Sequence, residues 1–155
     1  MILSEKSQLV QQALEQYHLS LQVVELDAST RTSQEAADAV GCEIGQICKS
    51  LVFRSGNIPL LFLVSGKNQL NVAKVSSDLG LPLEKADAAF TKEKTGFAIG
   101  GIPPVAHISP IQTYIDRTLL EYPEIWAAAG TPHAVFKLES HLLLTLTGGT
   151  VIDVI

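Results

Sequence analysis

The sequence predicts an α+β fold: one curved, mixed β-sheet with helices packed around it. Three observations point there. The chain has 155 residues, 46% apolar and 17% charged, which supplies one ordinary hydrophobic core and gives no compositional sign of disorder. Segments with apolar residues at helical spacing interleave with short apolar runs, but without the regular strand–helix–strand rhythm of a doubly wound sheet. Ser55-Gly56-Asn57 separates two apolar runs and signals a β-hairpin. A single domain over residues 1–155 is expected, with no repeat, linker or low-complexity stretch.

Taken in order, Ser4 to His18 reads as a helix with Leu9, Val10, Ala13, Leu14 and Tyr17 on one face and Ser4 as N-cap. Leu21 to Leu26 reads as a strand. Ser33 is expected to cap a short helix through Val40, stopped by Gly41. Gln46–Arg54 and Pro59–Ser65 form the hairpin strands, with Pro59 at an edge or a strand end. Asn71 caps a helix to Leu79, closed by Gly80, and Asp87 caps one through Lys94, closed by Gly96. Thr113–Asp116, Ile125–Ala128 and Ala134–Leu138 read as strands. Ser140 is expected to cap a helix from His141 to Thr147, closed by Gly148-Gly149, and Val151–Val154 is a last strand.

The formal net charge is −5. An acidic chain lacks the broad basic field of an autonomous nucleic-acid binder, so any contact with RNA must be local. Cys42 and Cys48 are too few for a zinc site and read as buried thiols. The apolar runs fall far short of the ~20 residues of a membrane span. A soluble cytosolic protein without membrane contact is expected, with no metal and no cofactor.

The most informative residue is Lys49, inside the apolar strand Gln46-Ile47-Cys48-Lys49-Ser50-Leu51-Val52-Phe53. An ammonium loses hydration on burial, so such a lysine either snorkels to an edge or faces a pocket, where it can hold an anionic or carbonyl group. An exposed lysine on the polar face of a half-buried strand remains the plain alternative. Cys48 is expected on the face opposite Lys49.

Gly100-Gly101-Ile102-Pro103-Pro104 is the second feature. The glycines permit close backbone approach and the prolines stiffen the turn, so the remaining amides can converge on an oxyanion or carbonyl oxygen. A simple β-turn is the alternative. The third is Ala129-Gly130-Thr131-Pro132-His133, a turn presenting a histidine that can position substrate or act near neutral pH. His107 is a weaker candidate; His18 and His141 read as structural residues within helices. No nucleophile elbow, Walker loop or dinucleotide fingerprint is present. An enzyme of this composition would work by positioning and polarisation.

In the order Thr32-Ser33-Gln34-Glu35-Ala36-Ala37, Gln46 through Phe53, Gly96 through Pro104, and Ala128-Ala129-Gly130 with Ile152-Asp153-Val154, the chain resembles the YbaK/ProX family of prolyl-tRNA-synthetase-associated editing domains. The resemblance runs from about Leu21 to the end of the chain. It implies a barrel-like mixed sheet surrounded by helices and a freestanding domain that hydrolyses mischarged aminoacyl-tRNA, typically tRNA for proline carrying a wrong amino acid. Lys49 matches the family's key lysine. Gly100, Gly101, Pro103 and Pro104 match the loop framing the aminoacyl carbonyl. Ser50 falls at a pocket-lining position, and Gly130 and His133 fall in the segment where some branches contact substrate. The implied partners are the acceptor end of mischarged tRNA and prolyl-tRNA synthetase. Two positions depart from the pattern: Ala128 replaces a frequent serine, and Ala106 a frequent glycine. A non-catalytic binding module and a hydrolase of free aminoacyl esters remain as alternatives.

Overall fold

The computed structural model describes residues 3–155. Eight strands make one mixed sheet: β1 (Val23–Glu25), β2 (Ile47–Ser55), β3 (Ile58–Ser65), β4 (Glu84–Lys85), β5 (Gln112–Asp116), β6 (Glu124–Ala128), β7 (Ala134–Glu139) and β8 (Thr150–Ile152). The strand order is β1-β7-β6-β2-β3-β5-β8, with β4 paired to β2 off this path. The β2–β3 hairpin, β6–β7, β1–β7 and β2–β4 are antiparallel. The β2–β6, β3–β5 and β5–β8 pairings are parallel.

β3 lies at the centre and is buried on both faces, so it reads as a continuous apolar run rather than an alternating one. On one face Leu61 and Leu63 join Val10 and Leu14 of α1 (Glu5–Glu15), Phe90 of α4 (Ala88–Thr95) and Leu143 and Leu146 of α5 (Leu142–Thr147). On the other, Leu60, Phe62 and Val64 join Phe53, Tyr114 and Val75 of α3 (Val72–Leu79). There the Phe62 ring stacks on Tyr114 with centroids 5.0 Å apart and meets Phe53 edge-on at 5.5 Å. A third, smaller cluster seats Ala36 and Ala37 of α2 (Ser33–Val40) on Ile47.

Most helix ends fall where the sequence puts them, with Ser4, Asn71 and Asp87 as side-chain caps. Two caps differ. Thr32, not Ser33, caps α2: its Oγ1 accepts from the Glu35 N–H at 3.1 Å and donates to the Glu35 carboxylate at 3.1 Å. The Thr-x-x-Glu spacing brings the Glu35 carboxylate to the Thr32 hydroxyl, which Ser33, with Ala36 three residues on, cannot match. Ser140 does not cap α5, because its hydroxyl donates to the Tyr122 carbonyl at 2.5 Å; His141 occupies the cap position with no side-chain bond.

α1 also stops earlier than its apolar pattern suggests. Ser7, Val10 and Leu14 face inward while Leu9 is 46% exposed. Tyr17 and His18 lie beyond the helix, His18 at φ +57, so neither of the two supposedly helical histidines sits inside a helix. The final strand ends at Ile152, and Val154 is buried beside β3 with its carbonyl accepting from the Asn71 N–H at 2.8 Å. The two-residue β4 and the 3-10 turns Ile44–Gln46 and Arg117–Glu121 carry no periodic signal in the sequence.

Candidate functional site

One edge of β2 is covered only at its two ends. β6 pairs with Ile47 and Cys48, and β4 pairs with Phe53 and Arg54. The Ile47 carbonyl bonds on the β3 side, to the Gly66 N–H, and the Val52 carbonyl bonds on the opposite side, to the Ala86 N–H. Antiparallel alternation therefore turns the Ser50 N–H and C=O toward the uncovered stretch.

A cavity of about 300 Å³ opens at this gap. Its walls are β2 from Ile47 to Leu51, β6 from Trp126 to Ala128, Val135 of β7, Ala36 of α2, the segment Thr30–Ser33 before and into α2, and Ile99, Gly100 and Ile102. Because the opening is a gap in the sheet and not a pit on one face, side chains from both faces of β2 reach it. Cys48 points into the main core, opposite to Lys49, and both line the cavity.

Lys49 is half-buried, and its Nζ donates to the Asn68 carbonyl at 2.5 Å. Loss of hydration pulls its pKa below the ordinary lysine value, and the negative charge of Asp116 opposes that shift. Burial pushes the Cys48 thiol well up, so Cys48 stays protonated and supplies no thiolate nucleophile. The Ser50 and Thr30 hydroxyl oxygens are buried and form no hydrogen bond within the chain. Both residues belong to the cavity wall, where a ligand or water can satisfy them.

The glycine–proline loop is held from several sides. Gly100 adopts φ +98, and a Cβ there would come within 2.9 Å of the Arg31 Cγ, which places the Arg31 side chain beside Gly100 at the cavity wall. The Gly101 N–H donates to the Ala98 carbonyl at 3.1 Å, and the Gly101 carbonyl accepts from the Gly130 N–H at 2.9 Å. Any Cβ on Gly101 would meet the Thr131 backbone at 2.9 Å, so the missing side chain here makes room for protein. Pro103 and Pro104 are buried behind the loop, and His107 Nε2 contacts the Pro103 carbonyl at 2.7 Å. Burial lowers the His107 pKa, which keeps that ring neutral.

Of the candidates read from the sequence, Lys49, Ser50 and Gly100 meet at the cavity wall. Gly101, Pro103, Pro104 and Gly130 form the scaffold behind it. His133 is exposed and is not among the residues of the cavity wall, and its Nδ1 contacts the Ala28 carbonyl at 3.1 Å. Ala128 lines the wall, and Ala106 adopts φ +72, the left-handed conformation that a glycine takes without strain. Among the described residues no His, Cys, Asp and Glu side chains group as a metal site, and no helix is long and apolar enough to cross a membrane.

Residues 27–146 match the family model of the aminoacyl-tRNA editing domain. The chain belongs to this family. A solved structure described as a candidate trans-editing enzyme for prolyl-tRNA synthetase is 53% identical, superposes with a TM-score of 0.92 and covers 98% of each chain. The uncharacterized protein YwhH of Bacillus subtilis (strain 168) is 26% identical over 79% of each chain. A proline–tRNA ligase of Thermosipho melanesiensis is 34% identical over 90 residues, 57% of this chain and 16% of the ligase.

The editing domain's cavity includes residues that the sequence reading missed. Thr30 and Arg31 sit in the polar run before α2, where an arginine among serines and threonines was the available signal. The sequence reading places Trp126 only in a strand and Ile102 only in the glycine–proline loop. Outside the wall, Asn68, whose carbonyl accepts from Lys49, and Asp116, which accepts from the Asn68 amide, carry no local signal, because they lie 48 residues apart.

Proposed function

We propose that this editing domain is a freestanding deacylase that hydrolyses the ester of mischarged tRNA, with tRNA for proline bearing a small wrong amino acid as substrate. The observation that carries the reading is Lys49, whose ammonium is held by the Asn68 carbonyl, in the wall of a cavity that also includes Gly100. Lys49 anchors the terminal nucleotide or carbonyl electrostatically. The Gly101 N–H is already bonded to Ala98, whereas among the described residues the Gly100 and Ile102 N–H groups bond to no other backbone group, and both residues line the cavity. On this reading they polarise the ester carbonyl as it becomes a tetrahedral oxyanion. The attacker is water or the neighbouring ribose hydroxyl; the ester is already activated, so positioning supplies the acceleration. Ser50, through its uncovered peptide groups and free hydroxyl, aligns the aminoacyl moiety.

Selection by size is expected, at ~1–3 kcal/mol per methylene in an apolar pocket. The likeness to a proline–tRNA ligase supports tRNA for proline and a synthetase partner. The test is a multiple-turnover panel of tRNA for proline acylated with alanine, serine, cysteine and proline. Hydrolysis of a small misacylated amino acid with proline spared is the expected result. Binding without turnover of any of them establishes the non-catalytic alternative, which Ala128 favours by removing a hydroxyl from the wall.

A further inference from the structure

Lys49 is held by a chain of hydrogen bonds that starts at a buried carboxylate. Asp116, 1% exposed at the end of β5, accepts from the Ser65 N–H at 3.0 Å and from the Thr118 N–H at 2.9 Å. Its Oδ2 also accepts from Asn68 Nδ2 at 2.9 Å, and the same amide nitrogen donates to Thr118 Oγ1 at 2.9 Å. These bonds fix Asn68 in the loop between β3 and α3. Its main-chain carbonyl is thereby set where the Lys49 ammonium donates to it at 2.5 Å.

An ammonium has three N–H donors. One goes to Asn68, which leaves two for a ligand, and Lys49 is a residue of the cavity wall. Of the ionisable groups there, Cys48 is neutral and Arg31 is exposed beside Gly100. Asp116 is the charged group whose field acts on Lys49.

We propose that Asn68 and Asp116 are positioning residues for Lys49: the carboxylate fixes the Asn68 amide, and the Asn68 carbonyl fixes the ammonium with its remaining donors turned to the cavity. The inference rests on the deacylase reading for its kinetic consequence but not for its geometry.

The test uses the full chain with ε-¹³C-labelled lysine, the Lys49 resonance being assigned by its loss in Lys49→Met. In Asp116→Asn the opposing charge is gone, so Lys49 is expected to titrate at lower pH than in the native protein. Asn68→Ala leaves Asp116 bonded to Ser65 and Thr118 but frees the loop. Its kcat is expected to fall by roughly tenfold to a hundredfold, the scale of misplacing a group by about 1 Å, with KM less affected. An unchanged Lys49 titration in folded Asp116→Asn, or native kcat in Asn68→Ala, overturns the proposal. If Asp116→Asn does not fold, Asn68→Ala decides. The titration needs no tRNA, so a protein inactive on every misacylated tRNA defeats the functional reading while the positioning claim is still decided by NMR.

Discussion

Lys49 carries its ammonium half-buried, bonded to the Asn68 carbonyl. Its pKa is lowered by burial, so folding disfavours the charged form relative to the unfolded chain. A lysine depressed in this way contributes stability only above its unfolded value, and that contribution is lost as pH falls through the lowered folded value. At neutral pH it therefore contributes none. Lys49→Met is expected to leave the melting temperature near native, the relief of desolvation offsetting the lost bond to the Asn68 carbonyl, while deacylation is lost. Thermal melts beside a deacylation assay check both halves. The native pH–rate profile should fall at alkaline pH, beginning below the ordinary lysine value, as the ammonium deprotonates. His133 makes the opposite case: away from the cavity wall and exposed, its replacement by alanine is expected to change stability within ±0.5 kcal/mol and leave turnover near native. At this scale the anomaly of a charge in an apolar strand was legible, but its partners were not. Asn68 contributes a main-chain carbonyl, a group every residue carries, and only the fold brings Asp116 beneath it.

Among the elements, the Ala98–Pro104 loop and the Ala129–Thr131 turn act as one unit, joined by the Gly130 N–H to the Gly101 carbonyl. The glycine pair was readable as a place of close backbone approach. What the sequence does not say is which backbone approaches which. At Gly101 it is the Thr131 main chain, and only Gly100 belongs to the cavity wall. Gly101→Ala should therefore destabilise by ~1–3 kcal/mol through overpacking, measured by denaturant unfolding. Thr32→Ala removes the α2 cap and should cost about 1 kcal/mol. Strand alternation was legible along β2, and Cys48 indeed faces away from Lys49. The gap in its edge was not, because it depends on where β6 and β4 stop pairing, at Cys48 with Ala127 and at Phe53 with Lys85, 79 and 32 residues apart in the chain.

For the whole molecule, the mixed character of the sheet followed from the irregular order of strand and helix signals. The parallel pairings β2–β6 and β3–β5 did not, since they join segments 79 and 52 residues apart in the chain. The net charge of −5 limits how tRNA can be held. Arg31 and Lys49 are the basic residues of the cavity wall, so on the proposed reading the phosphate contacts at the site are few. Binding should then weaken with salt with a log–log slope no steeper than about −2, from about −0.7 per single-strand phosphate neutralised; a slope several times larger would show a wider RNA footprint. The central claim, that the Lys49 ammonium at the β2 gap drives ester hydrolysis, is tested most directly by single-turnover deacylation of alanine-charged tRNA for proline with native protein and Lys49→Ala. A loss of about 100-fold or more in the mutant is expected; an equal rate in a folded mutant contradicts the account.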